Sequence, residues 1–216
     1  MIGFLHTAHQ HIARFDTLLD TRQPSLTRQH VVREDLLEQA RAHGPTPELV
    51  AQVRDTLQEA AHNAEVVVCT CSSLGQIAET LAAELPVPIL RIDRVMAEQA
   101  VQQAKELLIL VTVESTLEPT RDLFTDAARG RDVNLSLHLC EGAWEQFLQG
   151  DMQSYAQKII ETALELTGKH PYDLIVLAQA SMDVALEQST WPALPTVSSP
   201  SLVVDAAIAK LPTSST

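Results

Sequence analysis

The sequence predicts an α/β protein of two Rossmann-like lobes, each a four-stranded parallel sheet flanked by helices, related by a pseudo-twofold with a cleft between them. Three observations predict it. Short runs that are apolar throughout, the sign of strands buried on both faces, recur about eight times along the chain. Stretches with apolar residues every three or four positions separate them. Aromatic residues are only 4% against a hydrophobic fraction of 45%, so Leu, Val, Ile and Ala must fill the core, as they do where helices cover a parallel sheet.

The strands read, in order, as Ile2–Leu5, Arg28–Val32, Glu65–Val68, Pro88–Ile92, Leu107–Val111, Val133–Leu139, Leu174–Leu177 and Thr196-Val197. Glu65–Val68 is strongly β-branched, whereas Val133–Leu139 alternates, with Val133, Leu135, Leu137 and Leu139 on one face. Helical spacing covers Ile12–Leu19, Pro47–Ala61, Ser72–Leu85, Asp93–Ala104, Thr116–Ala128, Gly142–Leu148, Met152–Leu166 and Ser201–Leu211. Ser72, Asp93, Ser115 and Asp151 are cap signals, and Glu118 makes a capping box with Ser115.

Alternating strands and helices require parallel pairing with crossover connections. The chain divides into residues 1–94 plus 196–216 as the first lobe and 95–195 as the second. The helix from Asp93 joins the lobes, and the last helix returns to the first. A closed eight-stranded barrel is the alternative, but the 216 residues are short for one.

Composition excludes several functions. A net charge of −13, spread along the chain, repels phosphate backbones, and no basic patch interleaved with aromatics offsets it. Nucleic acid is therefore not an expected partner. No apolar run reaches the roughly 18 residues of a membrane span, and the N-terminus reads as a strand instead of a leader. Three cysteines are too few for a disulfide scaffold, so a cytoplasmic location is expected.

In parallel sheets ligands gather at the carboxyl ends of the strands. Here those ends carry His6-Thr7, the segment from Cys69 to Ser73, Thr112, Ser115-Thr116, Cys140-Glu141-Gly142, Gln179, Ser181 and Ser198-Ser199. Each hydroxyl taken singly is explained by helix capping; the set together is suited to holding a carboxylate. Cys71 stands out. It follows an apolar strand and precedes a helix, where the positive end of the helix dipole favours thiolate, a base or nucleophile. The alternative for Cys71 is a packing role in the core, which is the role expected of Cys69 two residues earlier. Cys69 and Cys71 together with His6, His9 and His11 lack the paired spacings of zinc sites, and the glycine-rich nucleotide signatures are absent. No metal and no organic cofactor are expected.

These residues, in this order, resemble the aspartate/glutamate racemase superfamily, which includes hydantoin racemases and arylmalonate decarboxylases. Val66–Ser73 (VVVCTCSS) is similar to its first motif, an apolar strand followed by Cys-Asn-Thr, with Cys71 in the cysteine place and Ser72 and Ser73 in the next two. Aligning Cys69 there instead shortens the strand. Leu107–Thr116 resembles the strand and turn that open the second lobe, Leu174–Met182 (LIVLAQASM) the second motif, and Pro195–Ala207 the last strand, serine turn and helix. The resemblance implies a cofactor-independent enzyme acting at the carbon next to a carboxylate of a small acid. Cys71 would be acid, base or nucleophile, and His6, Thr7, Ser72, Ser73, Ser115, Thr116, Gln179 and Ser198 would hold the substrate. Family racemases use two cysteines. Here Gln179 holds the second place, and an amide offers no proton at neutral pH. The expectation is therefore an isomerase, a racemase-like enzyme or a lyase. The alternative is a small-carboxylate binding protein of the same fold, and a third reading is a metal-dependent hydrolase built on the histidines. A homo-oligomer is compatible with either of the first two.

Overall fold

The computed structural model describes residues 1–212. Its strands are β1 (Ile2–His6), β2 (Arg28–Val32), β3 (Val66–Cys69), β4 (Ile89–Arg91), β5 (Glu106–Val111), β6 (Asn134–Leu139), β7 (Leu174–Leu177) and β8 (Thr196–Ser198). Its helices are α1 (Gln10–Arg22), α2 (Glu34–His43), α3 (Pro47–Ala60), α4 (Ser72–Leu81), α5 (Arg94–Gln103), α6 (Leu117–Ala127), α7 (Ala143–Leu148), α8 (Met152–Lys169) and α9 (Ser199–Ala209). The strands form two all-parallel sheets with one shared order, β2-β1-β3-β4 and β6-β5-β7-β8, so the barrel alternative is discarded.

The chain folds as two compact units, Met1–Val95 with the chain from Pro200 onward, and Met96–Ser199. The sequence placed the return to the first lobe at residue 196. Instead β8 pairs with β7, Ser198 lying beside Leu177, so Thr196–Ser199 belong to the second unit. Residues 213–216, assigned to the first lobe, lie outside the described residues. From Pro200 onward α9 belongs to the first unit, where Arg22 of α1 grips Asp205 and Ser201.

Burial explains the strand order. The inner strands β1, β3 and β7 are buried at every position, and β5 at all but its first; these are the runs that read as apolar throughout. The edge strands β2 and β6 are only half-buried and carry polar residues. Thr46 caps α3 by accepting from the N–H of Leu49 at 3.2 Å, with Pro47 opening the helix, and Asp151 caps α8 through the N–H of Ser154 at 3.0 Å.

Three local expectations are corrected. Helix α2 was not foreseen, because it buries only Leu36 and so shows little periodicity. The N-cap of α6 is Thr116, not Ser115. Residues 114–116 make a 3₁₀ turn closed by the N–H of Thr116 on the carbonyl of Val113 at 3.0 Å, and α6 starts after it. The N-cap of α4 is Cys71, not Ser72.

One glycine is required by a close approach. Helix α3 crosses β1 so tightly that a Cβ at Gly3 would stand 2.0 Å from the carbonyl oxygen of Ala60. That oxygen also receives the side-chain amide of Gln29 at 2.5 Å, so it cannot retreat freely. Gly3→Ala is therefore expected to destabilise the first unit by about 2 kcal/mol or more, as overpacking against backbone does. Urea unfolding measures it, and an unchanged midpoint would contradict the packing described.

Candidate functional site

The parallel register builds the site in each unit. In the first, Leu5 lies beside Cys69, so the residues beyond the strand ends fall into step: His6 beside Thr70, Thr7 beside Cys71. The N–H of Thr70 continues the ladder onto the carbonyl of Leu5 at 2.9 Å. Cys71 then adopts an extended conformation as the N-cap of α4 and is almost fully buried.

The Cys71 thiol faces the hydroxyl of Thr7 and the N–H groups of Ser73 and Leu74, all of which favour thiolate. Burial is the larger effect, however, and the net result pushes the thiol up. This corrects the expectation of a helix-activated thiolate: the helix end does act on the sulfur, but desolvation outweighs it. Burial drives Cys69 and Cys140 up to about 12 each, and neither has a comparable set of donors. Cys69 is wholly enclosed and its thiol points at the carbonyl of Cys71, 3.8 Å away. Beneath the site lies a buried ion pair. Arg91 donates Nε to Asp93 at 2.5 Å and reaches Glu79 on α4 at 3.2 Å. Its side chain lies where a Cβ at position 75 would be, 2.5 Å from Nε, so Gly75 admits it.

His6 was expected to touch substrate. It is fully buried, and both ring nitrogens are committed within the first unit. Nδ1 lies 2.8 Å from the Thr70 hydroxyl, and Nε2 lies 2.8 Å from Nδ1 of His30, whose Nε2 lies 3.2 Å from Asp16. The Thr70 hydroxyl donates its one hydrogen to the carbonyl of Leu5 at 3.0 Å, so it accepts from Nδ1 of His6, and Nε2 of a neutral His6 accepts from Nδ1 of His30. Phe4 stacks on both rings. Burial, with His11 and His30 nearby, lowers the His6 pKa to about 2, so the ring is neutral. His6 therefore braces the Cys71 loop from behind. His30 and Asp16 were missed by the sequence reading; the signal for His30 was a histidine on the strand pairing with β1, in register with Phe4. Among the described residues no group of three or more His, Cys, Asp or Glu side chains is placed to hold a metal ion.

The second unit repeats this geometry. Leu110 lies beside Leu177, so Thr112 stands beside Gln179 as Thr7 stands beside Cys71. The Gln179 side-chain oxygen accepts from the Thr112 hydroxyl at 3.0 Å, from the Val113 N–H at 3.3 Å and from the Thr112 N–H. The buried hydroxyl of Tyr155, on α8, bridges Thr112 at 3.2 Å and Ser181 at 2.7 Å. Tyr155 was also missed, although a lone tyrosine in the apolar stripe of α8 signals a buried hydroxyl in need of a partner. Of the other expected residues, Thr116 gives its hydroxyl to the carbonyl of Val113 at 2.6 Å and so closes its own turn. Ser115 is half-buried in that turn, Ser198 half-buried at the end of β8, and Ser72 buried behind Cys71.

A strand-end thiol facing a hydroxyl and two helix N–H groups, and in a second unit of the same strand order an amide facing a hydroxyl and two strand-end N–H groups, define a two-unit α/β protein with a polar strand end in each unit. The chain belongs to the Asp/Glu/Hydantoin racemase family, whose model matches residues 26–207. No curated protein matches the sequence. Its fold is similar to that of aspartate racemase from Picrophilus torridus, at 13% identity and a TM-score of 0.74, covering 96% of this chain and 93% of that one. It is similar also to allantoin racemase from Klebsiella pneumoniae (16% identity, TM-score 0.66, covering 96% and 86%). Glutamate racemase from Thermus thermophilus shares the fold too, at 18% identity and a TM-score of 0.62, covering 97% and 80%.

Two measurements test the site. Iodoacetamide should alkylate Cys71 before Cys69 or Cys140, and Thr7→Val should slow that alkylation about tenfold at pH 8 by removing a thiolate-stabilising hydrogen bond. Prior labelling of Cys140, or an unaffected rate, would contradict the assignment. The second test concerns pH. His6 stays neutral in the fold down to about 2 but titrates near 6.5 when unfolded. The unfolded chain thus takes up its proton first as pH falls, so His6's contribution is full above 6.5 and is lost on acidification, by at most roughly 1.4 kcal/mol per pH unit. Urea midpoints between pH 7 and 5 should fall less steeply in His6→Gln than in the natural protein; parallel slopes would count against the buried neutral ring.

Proposed function

We propose that this protein is a cofactor-independent isomerase or lyase of the racemase type, acting at the carbon next to a carboxylate of a small acid, with Cys71 exchanging the proton. The observation that carries the reading is the Cys71 thiol set against the Thr7 hydroxyl and the N–H groups of Ser73 and Leu74. Those donors offset the charge that a thiolate develops during proton transfer, and fixed donors aimed at developing charge are the strongest general device of catalysis. Because burial keeps the thiol protonated at neutral pH, its natural first move is to give a proton, for example to an enolate left when a 2-substituted malonate loses carbon dioxide. The C–C electron pair becomes the enolate, the enolate carbon takes the thiol proton, and water restores the thiol.

Gln179 supports the one-sided version of this chemistry. It stands in the second unit where the repeat would place a second thiol, and a carboxamide neither takes nor gives a proton at neutral pH. The same observation favours a second reading, a small-carboxylate binding protein in which the site is retained without turnover.

Proton NMR in deuterium oxide decides between them. Aspartate, glutamate, allantoin, a 5-substituted hydantoin and 2-substituted malonates are offered, and deuterium incorporation at the α-carbon or decarboxylation is followed. The expected result is turnover of at least one acid, lost by about 10³-fold or more in Cys71→Ser, whose hydroxyl is a far weaker acid. Turnover that survives the substitution would refute the role of Cys71. Binding without turnover would establish the second reading.

A further inference from the structure

Gln179 is fixed in one orientation, and that orientation has a chemical consequence. A side-chain amide has a donor end and an acceptor end, and only its hydrogen-bond partners decide which faces where. The backbone N–H groups of Thr112 and Val113 can only donate, and both point at the same atom of Gln179, with the Thr112 hydroxyl beside them. An NH₂ there would meet two donors head-on, so the atom must be the oxygen. The planar amide then turns Nε2 away from the end of β5, and among the described residues Nε2 has no hydrogen-bond partner. Three donors on the oxygen also polarise the amide and strengthen its N–H groups as donors.

The repeat sharpens the contrast. Thr112 gives its hydroxyl to Gln179 as Thr7 gives its own to Cys71, but the two N–H groups on the Gln179 oxygen come from Thr112 and Val113 at the neighbouring strand end, whereas those on Cys71 come from the start of α4. What Gln179 has left to offer is Nε2 alone. We infer that Gln179 is the specificity-determining residue of the second unit: its locked amide presents only N–H donors, and so selects a ligand carboxylate oxygen and disfavours a ligand ammonium group at that position. The inference rests on the small-carboxylate reading above and adds which group of the acid this unit recognises. It favours acids without an α-amino group, such as malonates, over free amino acids at the position Gln179 reads.

Side-chain NMR tests it with malonate as the probe. Gln179→Glu keeps an oxygen in the nest of donors and replaces Nε2 with a second oxygen, so the fold should persist with an unchanged melting temperature. Its ¹H,¹⁵N spectrum lacks one side-chain NH₂ pair, which identifies the Gln179 pair in the natural protein. On titration of malonate that pair should shift saturably, and Gln179→Glu should bind malonate at least about tenfold more weakly, the cost of exchanging a donor for a like charge. If the pair stays still while the backbone amides of Ser72 and Ser73 move, or if the variant binds malonate as tightly, the inference falls and the carboxylate reading stands. If malonate, succinate and L-aspartate shift no amide of the natural protein, the carboxylate reading falls and takes the inference with it. Should the variant fail to fold, Gln179→Asn identifies the pair, and the shift in the natural protein alone decides.

Discussion

The parallel pairing of β1 with β3 is the constraint on which the first unit's chemistry depends. Because Leu5 lies beside Cys69, every residue past the two strand ends has a set neighbour: His6 meets Thr70 and Thr7 meets Cys71. A slip of one residue would turn the inner strands' side chains to the opposite face and separate the hydroxyl from the thiol. The full burial of both strands forbids that slip, since it would put core aliphatic residues out of place. The second unit obeys the same rule through β5 and β7, which is why a threonine again stands beside the residue that matters.

Around Cys71 two electrostatic effects oppose each other. The site is dry enough that a free thiolate is disfavoured, yet the donors a thiolate needs are already in place. In the proposed reaction such an arrangement keeps the proton until charge develops and then meets that charge without rearrangement. The surroundings are correspondingly stiff. Behind Thr70 runs the chain from His6 through His30 to Asp16, and below α4 lies the buried pair of Arg91 and Asp93. A buried pair of this kind contributes little net stability over an apolar pair, but losing one partner is costly, and Arg91 also ties to Glu79 near the end of α4.

The two units share a strand order and a register but differ in the residue past the inner strand and in the N–H groups that surround it. Membership of the racemase family accounts for the fold, and in the first unit the residue just past an inner strand is a cysteine. In the second unit that residue is an amide whose oxygen is bound by three donors of its own unit. A locked amide can orient and discriminate, whereas a thiol can also transfer a proton. The asymmetry is chemical and local, which is why a fold shared with aspartate, glutamate and allantoin racemases does not by itself fix a substrate.

The sequence by itself determined the strand set, the parallel pairing within two four-stranded sheets and the place of Cys71, because continuous apolar runs such as Val66–Cys69 and Leu174–Leu177 have one physical use, strands buried on both faces; the order of the strands came from the structure. It also marked Thr7 and Gln179 as strand-end residues. It did not reveal α2, whose single buried leucine leaves almost no periodic trace. It misassigned His6, since a histidine at a strand end looks alike in sequence whether its nitrogens face a ligand or a second histidine. Only tertiary structure decided that His30 and Asp16, distant in the chain, would close that ring off. It alone showed that burial outweighs the helix end at Cys71 and that Tyr155 bridges Thr112 and Ser181. The physical reason is common to all three. Apolar patterning records which face of an element is buried, while hydrogen-bond partners and local desolvation depend on which elements meet, and that is settled by strand register and helix packing.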